Sequence, residues 1–307
     1  VKRPAQAIAA LVVVVLAVAL GAFGGAYALK LATIFAMYAT LATSWNLVGG
    51  MAGYPSFATA AFFGVGAYAG GLAQAAGVPM VLSWAWASAA ATIVALVVGV
   101  LVLKLRGHYF AIASLAIVIV LRQTATNWTD LTGGGMGLNL PVPHADPLTQ
   151  ARLFFAGQAT VAALATACAA GVAASRLGFS LRCIRQNETA AGMLGLNATR
   201  AKTAAFALSA AMVGPAGAIY ASAVSYIEPG DVFDILLTVE PIIMTMLGGP
   251  GTIAGPLLGA AVFLALEQTV WANFVAVHAA ILGALVVALA IALPDGILGR
   301  VRRFFPT

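Results

Sequence analysis

Apolar residues run through this sequence in long blocks separated by short patches of Gly, Pro, Arg and Asp. A helix of about 20 residues rises about 30 Å, enough to cross the hydrocarbon core of a bilayer. The blocks predict helices at about 6–27, 31–48, 57–76, 80–104, 108–126, 152–175, 200–225, 236–248, 253–272 and 276–293. They are continuous and do not alternate with period two, which argues against a membrane β-barrel. One polar island, Gly178 to Asn197, lies between two of the longest blocks. It reads as a short helix on which Arg185 and Glu188 are three residues apart, with Ala191 and Gly195 continuing the stripe. The expected fold is an all-α polytopic membrane protein of about ten transmembrane helices, with residues 1–307 forming a single domain.

Composition sharpens this picture. The 307 residues are 62% hydrophobic and 8% charged, more apolar surface than a soluble domain of this size can bury. The formal charge of +6 invites a nucleic-acid reading, but the basic residues are too scattered for one. Topology explains them better. With the N-terminus inside and the helices alternating, the inside receives Lys2, Arg3, Lys104, Arg106, Arg176, Arg182, Arg185, Arg200, Lys202, Arg300, Arg302 and Arg303. The outside keeps Lys30, Arg122 and Arg152, so the split is strongly positive-inside and places both termini in the cytoplasm. The first block has the outline of a signal peptide, but cleavage would spoil this parity, and it is read as a span. Cys168 and Cys183 fall at different depths and are not expected to pair. His108, His144 and His278 have no metal-ligand spacing, so no metal site is expected.

Candidate chemistry is sparse. There is no Gly-x-x-x-x-Gly-Lys-Ser/Thr loop, and Gly249-Pro-Gly-Thr252 lacks the lysine that would reach a phosphate. No catalytic arrangement stands out, so the chain is not expected to be an enzyme, and any ATP that drives it is hydrolysed by another chain. Arg122, Glu240 and Glu267 are the few ionisable residues inside the blocks, which weighs against a lone ion-coupled carrier. Glu267 is expected toward the outer interface. Three glycine sets have helix-packing spacing: Gly251, Gly255 and Gly259; Gly66 and Gly70; Gly21 and Gly25. The stretch Gly49-Gly-Met-Ala-Gly-Tyr-Pro-Ser56 differs, because it interrupts an apolar region with three glycines and a proline. Broken backbone at that depth survives when buried in protein or lining a cavity. Gly53, Tyr54, Ser56, Phe57, Thr59 and Glu240 are therefore candidates for a translocation path or hinge, with an ordinary turn as the alternative. Gly248-Gly-Pro-Gly-Thr-Ile-Ala-Gly-Pro256 makes a similar break on the same side, a hint of internal duplication.

Four stretches in order carry a family resemblance. They are Asn46-Leu-Val-Gly-Gly-Met-Ala-Gly53 with Ala60 to Tyr68; Leu105-Arg-Gly-His-Tyr-Phe-Ala-Ile-Ala-Ser-Leu115 with Asn127 to Gly134; Ile184-Arg-Gln-Asn-Glu-Thr-Ala-Ala191 with Gly195; and Met246 to Pro256 with Leu293 to Gly299. The chain resembles the permease subunits of branched-chain amino-acid ABC importers, and looks more like their M-type subunit. The resemblance implies a bacterial inner-membrane importer with two cytoplasmic ABC ATPase subunits that bind ATP and Mg. It also implies a second homologous permease in a heterodimer, an extracytoplasmic solute-binding protein and alternating access. The polar island looks like the family's coupling helix, with Arg182, Arg185, Glu188, Ala190, Ala191 and Gly195 as the ATPase-coupling residues.

The chain departs from the family after Gly53. Many members carry a polar residue there, then Ser-Leu-Gly and a histidine or glutamine; this chain has Tyr54-Pro55-Ser56-Phe57-Ala58-Thr59. Urea, short amides or aromatic acids, taken up by similar relatives, thus remain alternatives to a branched-chain amino acid. The competing readings of a secondary carrier or a non-transporting scaffold predict no ATPase partner.

Overall fold

The computed structural model describes residues 25–105, 107–141, 146–273, 283 and 296–299. Its helices are α1 (Ala26–Trp45), which runs into a π-helical turn (Asn46–Met51), α2 (Thr59–Ala75), α3 (Met80–Val102), α4 (His108–Asn127) and the one-turn α5 (Thr129–Thr132). They continue with α6 (Pro147–Ala174), α7 (Arg176–Gln186), α8 (Glu188–Met193), α9 (Ala198–Val224), the short α10 (Pro229–Val232), α11 (Leu236–Gly248) and α12 (Gly255–Asn273). Eight of the ten expected blocks fall on these helices; those at 6–27 and 276–293 lie almost wholly outside the described residues. Among the described residues, five helices are long and apolar enough to cross a membrane: α1 with its π turn, α3, α4, α6 and α9. At 17 and 13 residues, α2 and α11 fall below that length because each abuts a break in the chain. The protein is thus an all-α membrane protein.

Two ends can be distinguished. At one, two-residue strands β1 (Leu138–Asn139) and β2 (Tyr226–Ile227) pair antiparallel, joining the segments that follow α4 and α9. At the other, the break end, lie the π turn, α7, α8 and the loop between α11 and α12; the turn at 296–299 rests against Gly249 there.

The bundle is built around α9, which packs against α2 and α3. Small residues permit this. A Cβ on Gly66 would land on the Gly214 carbonyl, and one on Gly70 would meet the Ala218 methyl. Gly214 in turn lies against the Ala87 carbonyl of α3. Helices with little hydrophobic drive between them in lipid associate through this close backbone approach. Pro215 sits inside α9 and cannot donate to the Ala211 carbonyl one turn earlier. Ser88 of α3 supplies that hydrogen bond at 2.7 Å. Toward the strand end, buried Gln74 donates to Ser83 and Ser222 at 2.9 and 2.8 Å, and Trp84 Nε1 donates to Ser222 at 3.1 Å. Outside this core, Val81, Trp86, Ile93, Val97 and Leu101 of α3 and Ile112, Ile119 and Val120 of α4 are exposed, as a lipid-facing surface requires.

At the break end, the two glycine-rich interruptions meet. Asn46, fully buried, donates from Nδ2 to the Thr252 carbonyl at 2.7 Å and accepts from the Gly251 N–H at 2.7 Å. A side chain on Gly50 would collide with Gly251 and Asn46, so the two loops can touch only where glycine stands. Of the glycines with packing spacing, Gly255 and Gly259 lie on α12 against Gly248–Gly249 and the Met244 carbonyl of α11. Gly251 does not belong to that helical run. Its φ of +80° is a left-handed turn conformation ahead of α12, and its role is to meet Gly50. Gly25 precedes α1 with no described atom within 4 Å of where its Cβ would be, and Gly21 lies outside the described residues.

Two stability predictions follow from this packing. Gly66→Leu should destabilise the bundle by about 3 kcal/mol by driving a side chain into the α9 backbone, seen as a lower thermal midpoint in detergent. Asn46→Ala should cost about 2–5 kcal/mol by stranding the Gly251 N–H and the Thr252 carbonyl, whereas Thr124→Ala on exposed α4 should leave the midpoint nearly unchanged.

Candidate functional site

Within the segment from Ala52 to Ala58 only Tyr54 N–H, which donates to the Val48 carbonyl at 3.1 Å, and the Ala58 carbonyl, which accepts from Phe62 N–H at 3.2 Å, bond to the adjoining helical turns, so the rest of its polar backbone must find partners elsewhere. They come from three helices. Trp45 Nε1 of α1 donates to the Ser56 carbonyl at 2.7 Å. Ser114 of α4 accepts the Phe57 N–H at 2.8 Å. Thr238 of α11 donates to the Phe57 carbonyl at 3.2 Å and accepts the Ala60 N–H at 2.9 Å, capping the first turn of α2. The Ser56 hydroxyl accepts the Ala58 N–H at 3.3 Å. Tyr54, Ser56 and Thr59 are buried, Phe57 is half-buried and Gly53 is exposed. Gly53 takes a φ of +74°, and a Cβ there would press on the Arg185 side chain. Glu240, half-buried on α11 beside Pro241, hydrogen-bonds Tyr38 of α1 and stands apart from this cluster.

The polar island is not one helix. Asn187 is extended, with φ −162° and ψ 108°, and separates α7 from α8. Its side chain accepts the Ala190 N–H at 3.0 Å, so an N-cap restarts the chain where a continuous helix would have carried Arg185 and Glu188 on one stripe. α7 opens on a similar cap, with Ser175 accepting from Gly178. Gly195, at φ +80°, closes α8 with Leu196 N–H donating to the Ala191 carbonyl at 3.1 Å. Among the described residues, no atom lies within 4 Å of where its Cβ would be, so a turn is what requires glycine there.

The charged residues of the island each bond the body of the protein, although Arg182 and Arg185 remain exposed. Arg182 Nη1 donates to the Ala173 carbonyl at 3.1 Å, satisfying the end of α6. Arg185 Nη1 donates to the Gly50 carbonyl in the π turn at 2.5 Å. Glu188 Oε1 accepts from Lys202 Nζ of α9 at 3.0 Å, while Oε2 takes the Tyr54 hydroxyl. The Lys202 ammonium stands 4.3 Å from the centre of the Tyr54 ring, and Phe110 meets that ring edge-on at 5.4 Å. The Lys202 side chain is 1% exposed and that of Glu188 16%. Removing one member of so enclosed a pair costs about 3–5 kcal/mol, because the other charge stays buried. Ala191 is buried beneath α8, whereas Ala190, Gly192, Met193 and Leu194 are exposed.

Lys202 and Asn46 are central to this site, yet sequence reasoning gave Lys202 only a topological role and Asn46 only a place in a motif. A lysine inside an apolar helix was the available signal for a counter-ion. Its partner Glu188 lies 14 residues away across a turn, which no periodic pattern reveals.

Comparison with known proteins agrees with the architecture. The family described as branched-chain amino acid transport system / permease component matches residues 27–290. The chain is 26% identical over 299 aligned residues to the high-affinity branched-chain amino acid transport system permease protein LivM of Salmonella typhimurium, with 89% of this chain and 70% of that protein covered. LivM of Escherichia coli gives the same identity and coverage. No solved structure matches the chain significantly. Broken, internally satisfied backbone at one end of an apolar helical bundle, with a family match over most of its length, places this chain in the branched-chain amino acid transport system permease family.

Proposed function

We propose that this chain is the membrane permease subunit of an ATP-driven importer for a branched-chain amino acid or a related small solute. In this reading α7 and α8 lie on the cytoplasmic side and form the surface that separate ATPase subunits move. The observation that carries the reading is the tip of α8. Met193 is 84% exposed and Leu194 77%, and Phe179 of α7 is 57% exposed, at the break end of the bundle, which this reading sets outside the lipid. Exposed apolar side chains on an otherwise polar end fit a groove on a partner protein. Glu188 is engaged by Lys202 and Tyr54, while Arg182 and Arg185 stay exposed although each bonds a backbone carbonyl, so docking combines apolar contact at the tip of α8 with these guanidinium groups, and the small residues Ala190 and Gly192 allow close approach.

The other partners follow the same scheme: a second, homologous permease, two ATPases that hold ATP and Mg, and an external binding protein. Asp130, Glu228, Asp231 and Asp234 lie at the strand end, where they would meet basic residues of that binding protein. Burial of Tyr54, Ser56 and Thr59 among protein atoms favours a hinge over a solute-lining role for the broken segment. Ranking branched-chain amino acids above urea, amides or aromatic acids rests on the family to which the chain belongs.

Two experiments test this reading. Met193→Glu with Leu194→Glu should leave the folded yield unchanged, since both side chains are exposed, and should cut co-purification of the cognate ATPases at least about tenfold. ATPase recovery equal to that of the unaltered chain would remove α8 as the docking surface. With Cys168 and Cys183 replaced by serine, Met193→Cys should react with an impermeant thiol reagent in inside-out vesicles and stay unlabelled in intact cells; the opposite pattern would invert the topology.

A further inference from the structure

We infer that Lys202, Glu188 and Tyr54 form a transmission latch that makes α8, the broken segment Ala52–Ala58 and the start of α9 move as one body. The inference rests on the permease reading above and assigns Lys202 as a positioning residue for transport. The geometry is a closed ring across three elements. Lys202 Nζ reaches Glu188 Oε1 at 3.0 Å and stands over the Tyr54 ring at 4.3 Å, and the Tyr54 hydroxyl returns to Glu188 Oε2. Arg185 to the Gly50 carbonyl, at 2.5 Å, ties α7 to the π turn beside it.

Packing alone cannot do this work. α8 is six residues long, and Ala191 is the one residue within it that is buried. A helix with so little apolar contact would swing freely if it were held by its caps alone. The force a partner applies at Met193 and Leu194 therefore reaches the membrane body through Glu188. Its direction is fixed by the two carboxylate oxygens, one bound to α9 and the other to the broken segment. A charged anchor suits this role because a carboxylate with two specified donors has one register, whereas an apolar contact at the same place would slide. Thr238 and Ser114 then pass the displacement of the segment to α11 and α4, which flank it.

The test uses the assembled complex with its ATPases, second permease and loaded binding protein in proteoliposomes. It reads ATPase retention, hydrolysis rate and solute moved per ATP. Lys202→Met should retain the ATPases and their hydrolysis, while solute moved per ATP falls at least about tenfold, within the range of coupling between linked sites. Tyr54→Phe, which removes only a hydroxyl and keeps the ring under Lys202, should lower the same ratio to a smaller degree. Exchanging the charges, Lys202→Glu with Glu188→Lys, should recover part of what either single change loses. An unchanged ratio in Lys202→Met, or additive losses in the exchange, would overturn the latch. Should Lys202→Met not fold, an unchanged ratio in Tyr54→Phe would overturn it equally. An unaltered complex that neither retains ATPases nor moves solute would instead sink the importer reading itself.

Discussion

A main chain that leaves the helix inside an apolar bundle must have each N–H and carbonyl answered by protein, because lipid offers no hydrogen bonds. That requirement organises the break end of this molecule. Trp45, Asn46, Ser114 and Thr238 come from α1, its π turn, α4 and α11, and each spends its polar group on backbone of the broken segment or the facing loop. The glycines serve the same end. Gly50 and Gly251 bring two loops close enough for Asn46 to reach both partners, and Gly53 lets the chain turn beneath Arg185. An isolated hairpin could not hold this conformation; it exists because four separate elements converge on it.

The convergence also explains why Glu188 faces inward. Coulombic attraction between a lysine and a glutamate is strong where water is excluded, and weak on an open surface. Placing Glu188 between Lys202 and Tyr54 fixes α8 to the bundle and leaves its outer face to Ala190, Met193 and Leu194. A short helix anchored through its inner carboxylate and carrying exposed apolar side chains at its tip is suited to being gripped and moved.

Much of this was legible in the residues. Apolar blocks located eight of the described helices, five of which have the length that lipid imposes on a span. The four motif stretches identified the family, and the two glycine-rich interruptions were visible as breaks on one side. The division of the island at Asn187 was not visible, because a favourable N-cap and the inward-turning Glu188 outweigh an uninterrupted helical pattern, and Glu188 finds its partners only in three dimensions. Gly251 was misplaced on a helix for a related reason: a repeat of small residues every four positions looks alike whether the first member packs or turns. Long-range hydrogen bonds such as Asn46 to Thr252 span about two hundred residues and leave no local trace.

The bond from Ser88 to the Ala211 carbonyl bears on how the protein is made. Pro215 leaves that carbonyl without its ordinary donor, and the replacement sits on α3, a helix synthesised well before α9. The ribosome therefore delivers the donor to the membrane ahead of the acceptor that needs it. When the proline-bearing helix leaves the insertion machinery, its defect can be mended at once by a neighbour already standing in the bilayer. A permuted chain in which α9 emerged ahead of α3 would expose the unmended carbonyl to lipid for as long as its mate remained untranslated.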